Sequence, residues 1–242
     1  MSTVQTVHGH TPVMLRETLH YLVPPSGGGL LIDGTLGLAG HSCTFLDRYP
    51  GLRLVGVDAD ATVQSIARAR LEPYAGRVTL VHAYFDDFFI DYAARIKAGQ
   101  AERPSLVLLD FGLSMYHFRE SGRGFSLQTD EPLDMRLDPS AGDTAADLVN
   151  GLDEAGLYRV LDSYGEEPFA GRIARAIVRE RAASSIDSTA RLAQLVRDAV
   201  PAKFRHGRVH PATRTFQAFR IAVNDELGRI ERVLEEIGRA HV

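Results

Sequence analysis

Between residues 28 and 110, short runs of consecutive apolar residues alternate with longer stretches in which apolar positions recur every three or four residues. Runs of the first kind bounded by turn residues predict buried strands, and the longer spacing predicts helices. Strands are therefore expected at Leu30–Asp33, Leu52–Asp58, Val78–His82 and Leu106–Asp110, with helices at Ala61–Leu71 and Phe89–Lys97. This βαβα succession predicts a parallel sheet with ligands at the carboxyl ends of its strands. Asp33, Asp58, Tyr84, Phe85, Asp86 and Asp110 would lie along that edge.

The pattern changes after Asp110. Residues 112 to 142 are rich in Gly, Ser, Asp, Pro and Arg and show little periodicity, yet the tract is too long for a simple connector. Its embedded Phe125, Leu133 and Met135 argue for order. Helical spacing returns at Leu152–Tyr164, Pro168–Arg181 and Thr189–Val200, the last with Ser188 as a cap and Pro201 as a stop. A long amphipathic helix is expected from Pro211 onward, with Phe216, Val223, Leu227, Ile230, Leu234 and Ile237 in one stripe covering the sheet. The fold class is thus α/β, a Rossmann-like parallel sheet with helices on both faces. Residues 1–112 and 213–242 would form it, and 113–212 would be an inserted, mostly helical domain that recognises substrate.

Composition narrows the picture only in places. Hydrophobic content of 45% and charged content of 24% are ordinary for a soluble globular chain. A single cysteine, Cys43, excludes a disulfide framework and a cysteine-built zinc site. No apolar run approaches the roughly 18 residues of a membrane span, and no signal-peptide core is present, so no membrane partner is expected and the cytoplasm is the expected location. The net charge of -4 offers no global attraction to nucleic acid. Residues 170 to 220, however, hold ten arginines and one lysine against Glu180, Asp187 and Asp198, a local excess of about eight positive charges. A solvated helix face or a phosphate-facing surface would each explain that excess.

The densest chemistry follows the first strand. Gly34, Gly37 and Gly40 would let the chain turn tightly and approach a ligand, and Asp58 stands about where a ribose-binding carboxylate is expected. Dinucleotide folds use Gly-x-Gly-x-x-Gly to seat a pyrophosphate, whereas here the spacing is Gly-x-x-Gly-x-x-Gly with Asp33 directly before it. A carboxylate at that place suits a ligand bearing an ammonium and a sulfonium, so S-adenosylmethionine is favoured over a nicotinamide. An ordinary glycine-rich turn is the plainer alternative. Phe85 would either stack on adenine or fill the core. Asp110-Phe111-Gly112 imitates the magnesium turn of protein kinases, but the other kinase motifs are absent. Cys43 reads as a structural thiol rather than a nucleophile, and His8, His10 and His41 lack metal-ligand spacing, so no metal is expected.

Longer segments carry a family resemblance. They are His10-Thr11-Pro12-Val13-Met14-Leu15, the Asp33–His41 turn, Gly122-Arg123-Gly124-Phe125-Ser126, Pro132-Leu133-Asp134-Met135-Arg136, Tyr164-Gly165-Glu166-Glu167 and the Arg214–Leu227 helix. Over nearly its whole length the chain resembles the RsmH (MraW) family, which methylates N4 of a decoding-centre cytosine in 16S ribosomal RNA. The resemblance implies S-adenosylmethionine contacts at Ala39, Gly40, His41, Asp58, Phe85 and Asp110. His117 stands where the family has a glutamine that touches the cofactor. Family members continue past the long helix into strands carrying Ser-Phe-His-Ser-Leu-Glu-Asp-Arg, and this sequence reaches Val242 without them. The resemblance therefore implies a sheet lacking those strands, with an exposed edge.

The reaction so implied is an in-line displacement at the sulfonium methyl by an exocyclic amine. It needs the amine aligned and an acceptor for its N–H as positive charge develops. Asp110 is the candidate acceptor. Arg123, Arg136, Arg172 and Arg175 are candidates for holding the RNA of the small ribosomal subunit, whose target base must be unstacked. A homodimer is compatible with the sequence but not required by it. Two other readings stand beside this one: an inactive remnant that binds cofactor and RNA, and a nicotinamide-dependent oxidoreductase.

Overall fold

A computed structural model describes residues 12–205 and 207–239, so His8, His10 and Thr11 lie outside the described residues. The chain runs α1 (Leu15–Tyr21), β1 (Gly28–Asp33), α2 (Gly40–Arg48), β2 (Gly51–Asp58), α3 (Ala61–Leu71), β3 (Val78–His82), α4 (Phe85–Lys97) and β4 (Leu106–Leu108). It continues α5 (Met115–Arg119), α6 (Ala145–Gly151), α7 (Glu154–Gly165), α8 (Ala170–Arg181), α9 (Thr189–Ala199), α10 (Thr213–Asn224) and α11 (Glu226–Arg239). The described strands form one parallel sheet in the order β3-β2-β1-β4.

Alternation along β1 sorts the core onto two faces. Leu31 packs with Leu36, Phe45, Leu46, Ala67 and Leu71, which come from the first turn, α2 and α3. Leu30 and Ile32 point the other way, onto Phe88, Phe89 and Tyr92 of α4 and Val233 of α11. Right-handed crossovers account for this division. The steps β1 to β2 to β3 place α2 and α3 on one face, and the return from β3 across to β4 places α4 on the other. The fold is Rossmann-like, as the apolar runs predict.

The chain divides into two compact units, Met1–Met115 with Arg229–Val242, and Tyr116–Gly228. Packing in the second unit runs from α10 to α7, α7 to α8 and α8 to α9. Its core includes Val149, Leu157, Leu161, Ile173, Ile177, Leu192, Val196, Phe216 and Phe219. The Gly- and Arg-rich tract is ordered. Phe125, Leu133 and Met135 are buried, Leu133 N–H donates to the Asp187 carbonyl at 3.0 Å, and Met135 N–H donates to the Arg123 carbonyl at 2.7 Å.

Two expectations need correction. The single long helix from Pro211 is in fact α10 and α11, separated by Asp225 in the left-handed region with φ 48°. Residues 213–228 therefore belong with the helical unit rather than the sheet, and Leu227 and Leu234 are exposed. A helical period reads the same on both sides of a break, so spacing alone does not reveal the change of axis. Helix α6 was not expected, although the reciprocal bonds between Thr144 and Asp147 form a capping box that marks its start.

Asn224, buried at the end of α10, ties that helix to the ordered tract. Its amide nitrogen donates to the Met135 and Arg220 carbonyls at 2.8 and 2.9 Å, and its oxygen accepts Leu137 N–H at 2.8 Å. Asn224→Ala should lower stability by about 2–4 kcal/mol, because it strips partners from buried backbone groups. Urea denaturation measures this, and a loss below about 0.5 kcal/mol would assign the tract's order to packing instead.

Candidate functional site

The chain passes from β3 to β4 across two strands, so strand order reverses between β1 and β4. In open α/β sheets the crevice at the carboxyl side of such a reversal receives ligands. The turn after β1 is stitched to both neighbouring strands at this point. On the β4 side, Gly34 N–H donates to the Leu108 carbonyl at 2.9 Å and Asp110 N–H donates to Thr35 Oγ1 at 2.7 Å. On the β2 side, Leu36 N–H donates to the Val57 carbonyl at 3.0 Å and Gly37 N–H donates to Asp58 Oδ2 at 2.8 Å. The other Asp58 oxygen accepts Asp60 N–H at 2.8 Å, and Asp60 in turn caps α3 through Thr62 and Val63.

Gly37 and Ala39 both adopt left-handed backbone, with φ 52° and 60°. For alanine that conformation costs about 1–2 kcal/mol, and strain of this kind collects at functional sites. Ala39 also stands at the cap of α2 with no side chain able to bond its first amides. A Cβ at Gly40 would lie 2.6 Å from Pro12 Cγ, so the absence of a side chain there makes room for a segment of the protein itself. His41 anchors the same segment, with Nε2 3.0 Å from the Val13 carbonyl oxygen.

Asp33 lies beneath the turn at only 1% exposure. It accepts the Ser42 hydroxyl at 2.6 Å and Thr35 N–H at 3.2 Å. Burial pushes its carboxyl up to about 6, against the opposing effect of those two bonds. Its polar contacts thus fix the turn, and any influence on a ligand passes through the turn. Phe85 opens α4, half-buried, with its ring 5.5 Å from the exposed ring of Phe111. Asp110 is exposed at the end of the β4 segment. The first unit therefore brings together Asp33, Gly34, Gly37, Ala39, Gly40, His41, Asp58, Phe85 and Asp110.

The remaining candidates belong to the second unit. His117 is buried there, edge-on to Phe125 at 5.3 Å. Arg123 donates to the Arg136 and Leu137 carbonyls at 3.0 and 2.9 Å, and Arg136 pairs with both Asp134 oxygens at 2.8 Å. These two guanidinium groups tie the loop together. Arg172 and Arg175 are exposed on α8, whose opposite face buries Ile173, Ala174 and Ile177. Five of the ten arginines between residues 170 and 220 likewise bond within the protein. Arg181, Arg205 and Arg214 donate to backbone carbonyls, and Arg191 and Arg220 pair with Glu180 and Glu226.

Sequence reasoning missed Thr35, Ser42 and Asp60. The available signal was the presence of short hydroxyl and acidic side chains around a glycine turn, which commonly bond nearby amides. Burial pushes the Cys43 thiol up, away from nucleophile chemistry. Among the described residues no group of His, Cys, Asp or Glu could hold a metal ion, and no helix is long and apolar enough to cross a membrane.

A parallel β3-β2-β1-β4 sheet with a strained glycine turn, a fixed carboxylate after β2 and an aromatic residue after β3 defines a Rossmann-like protein of the methyltransferase type. The family model described as the MraW methylase family matches residues 7–240. The chain belongs to that family. Three relatives carry the name ribosomal RNA small subunit methyltransferase H. The protein from Treponema denticola is 47% identical over 226 residues, covering 93% of this chain and 70% of the relative. The one from Thermobifida fusca is 47% identical over 229 residues, covering 93% and 68%. The one from Mycobacterium leprae is 46% identical over 238 residues, covering 95% and 63%.

The buried carboxylate gives a test of the turn. Since the Asp33 carboxyl is raised from 3.8 to about 6, the folded state holds its proton more tightly than the unfolded state. Its contribution to stability is fully present below pH 4 and is lost as pH rises through 6, a fall of about 3 kcal/mol. Asp33→Asn cannot ionise. The stability of the parent relative to this variant should therefore decline between pH 4 and 7 in urea denaturation. A pH-independent difference would mean that Asp33 is not desolvated.

Proposed function

We propose that this chain transfers the methyl group of S-adenosylmethionine to N4 of a P-site, decoding-centre cytosine in 16S ribosomal RNA. The observation that carries this reading is the strained turn held to Asp58 at the strand reversal, in a chain of the MraW methylase family. The substrate class follows from the small-subunit ribosomal RNA in the relatives' names, and the base from the resemblance described above. An RNA of this kind would place the protein in the cytoplasm. Each chain carries the turn, Asp58, Phe85 and Asp110 itself, so the proposed chemistry needs no homodimer.

The donor set fits this cofactor better than a dinucleotide. Asp58 closes the turn with a carboxylate, which would repel a diphosphate and favour a cationic ligand, while Asp33 shapes the turn from beneath. Asp58 would receive the ribose hydroxyls and Phe85 would pack on adenine. The first amides of α2, at Gly40 and His41 beyond Ala39, would receive the carboxylate. When bound, the cofactor supplies a methyl group activated by its positive sulfur. Asp110 would accept the N–H of the attacking amine, holding it in line and taking up charge as it develops. Arg172 and Arg175 would hold the RNA backbone around an unstacked base.

The direct test is transfer of labelled methyl to unmethylated small subunits. Label should appear on cytosine N4, disappear with Asp58→Ala, and form about a hundredfold more slowly with Asp110→Asn. Cofactor binding without label would favour the inactive-remnant reading. For the RNA surface, Arg172→Ala with Arg175→Ala should weaken binding at low salt and flatten the plot of log affinity against log salt by about 1.4. An unchanged slope would move the RNA contact elsewhere.

A further inference from the structure

The residues on either side of Phe85 are both held by α11. Asp86 is wholly buried, and its two carboxylate oxygens accept from Arg229 Nη1 and from Arg232 Nε, the latter at 2.8 Å. Arg229 also reaches Asp87 at 3.1 Å, and its guanidinium lies 3.5 Å from the centre of the Tyr84 ring. Burial alone would push the Asp86 carboxyl up, but the bonds from Arg232 and Arg229 outweigh it and hold the group below the ordinary carboxylate range. A planar guanidinium can pair with a carboxylate and stack on a ring at once, which a lysine cannot reproduce. Val233 and Ile237 seat α11 against the sheet core around Leu30, Ile32 and Val57. The backbone is thus pinned before and after Phe85, while its ring stays partly open beside Phe111.

We infer that Arg229 and Arg232 are positioning residues for cofactor binding, acting through Tyr84 and Asp86 to hold Phe85 as a preset wall of the site. The inference rests on the proposed cofactor. It assigns a role to a helix that none of the sequence motifs marks. Without the clamp the Tyr84–Asp86 turn samples other conformations, and the measured Kd rises in inverse proportion to the competent fraction.

Calorimetric titration of S-adenosylhomocysteine into the full chain, with Tm recorded alongside, tests the inference. Arg229→Ala should raise Kd about tenfold, corresponding to a competent fraction of roughly one tenth. Arg229→Lys, which keeps a charge for Asp86 but loses the flat stack on Tyr84, should fall between. Arg232→Ala, at a half-exposed site, provides a milder removal should Arg229→Ala not fold. Val233→Ala should lower Tm through a cavity under the same helix while leaving Kd within about twofold. Unchanged Kd in the arginine variants overturns the inference, as does a Val233→Ala variant that weakens binding equally. A parent chain that binds no ligand overturns the cofactor reading and this inference together, a result distinct from a binding parent with indifferent variants.

Discussion

The carboxyl edge of the sheet depends on the 2.8 Å hydrogen bond from Gly37 N–H to Asp58. It joins the turn after the first strand to the end of the second. The same carboxylate holds Asp60, whose side chain starts α3. One acidic residue therefore fixes the height of the turn, the position of a helix start and its own orientation as an acceptor. The left-handed backbone at Gly37 and Ala39 persists because these contacts, with Gly34 and Asp110 on the other side, leave the turn no relaxed alternative. Asp33 adds a second tie from below, and its burial makes the turn sensitive to protons that never reach the surface of the site.

Arginine is used in three distinct ways. Arg123 and Arg136 stabilise an irregular loop by donating to two carbonyls and a carboxylate. Arg229 and Arg232 neutralise a buried acid, where the desolvation cost makes both partners necessary. Arg172 and Arg175 sit on the outer face of α8, where a guanidinium can meet a phosphate without breaking anything first. Charge counted along a sequence merges these uses. Only the bonding of each side chain separates a surface that can bind from one that merely folds.

Much of the first unit could be read in advance. Apolar runs located all four described strands within a few residues, most plainly β1, whose residues from Leu30 to Asp33 are all buried and so have little choice of composition. The places of the glycine turn, Asp58 and Phe85 at the sheet's carboxyl edge were legible too, since turn chemistry and strand ends are local. Failures came where the deciding contact is remote in sequence. At the break at Asp225, the neighbouring Asn224 reaches Met135 and Leu137, nearly ninety residues back. Asp86 looked like one more acid at the sheet edge. Its partners on α11 lie more than 140 residues away.

The discontinuity of the first unit has a consequence for how the chain is made. Its helix α11 is synthesised after the whole of Tyr116–Gly228, a unit that is continuous in sequence. As the polypeptide emerges from its amino end, the helical unit can complete its core while the sheet still lacks α11. During that interval Asp86 has no counter-charge and Leu30, Ile32 and Val57 have no cover from Val233. The nascent sheet therefore waits in a partly assembled form, with a solvated acid beside Phe85, until α11 has been made.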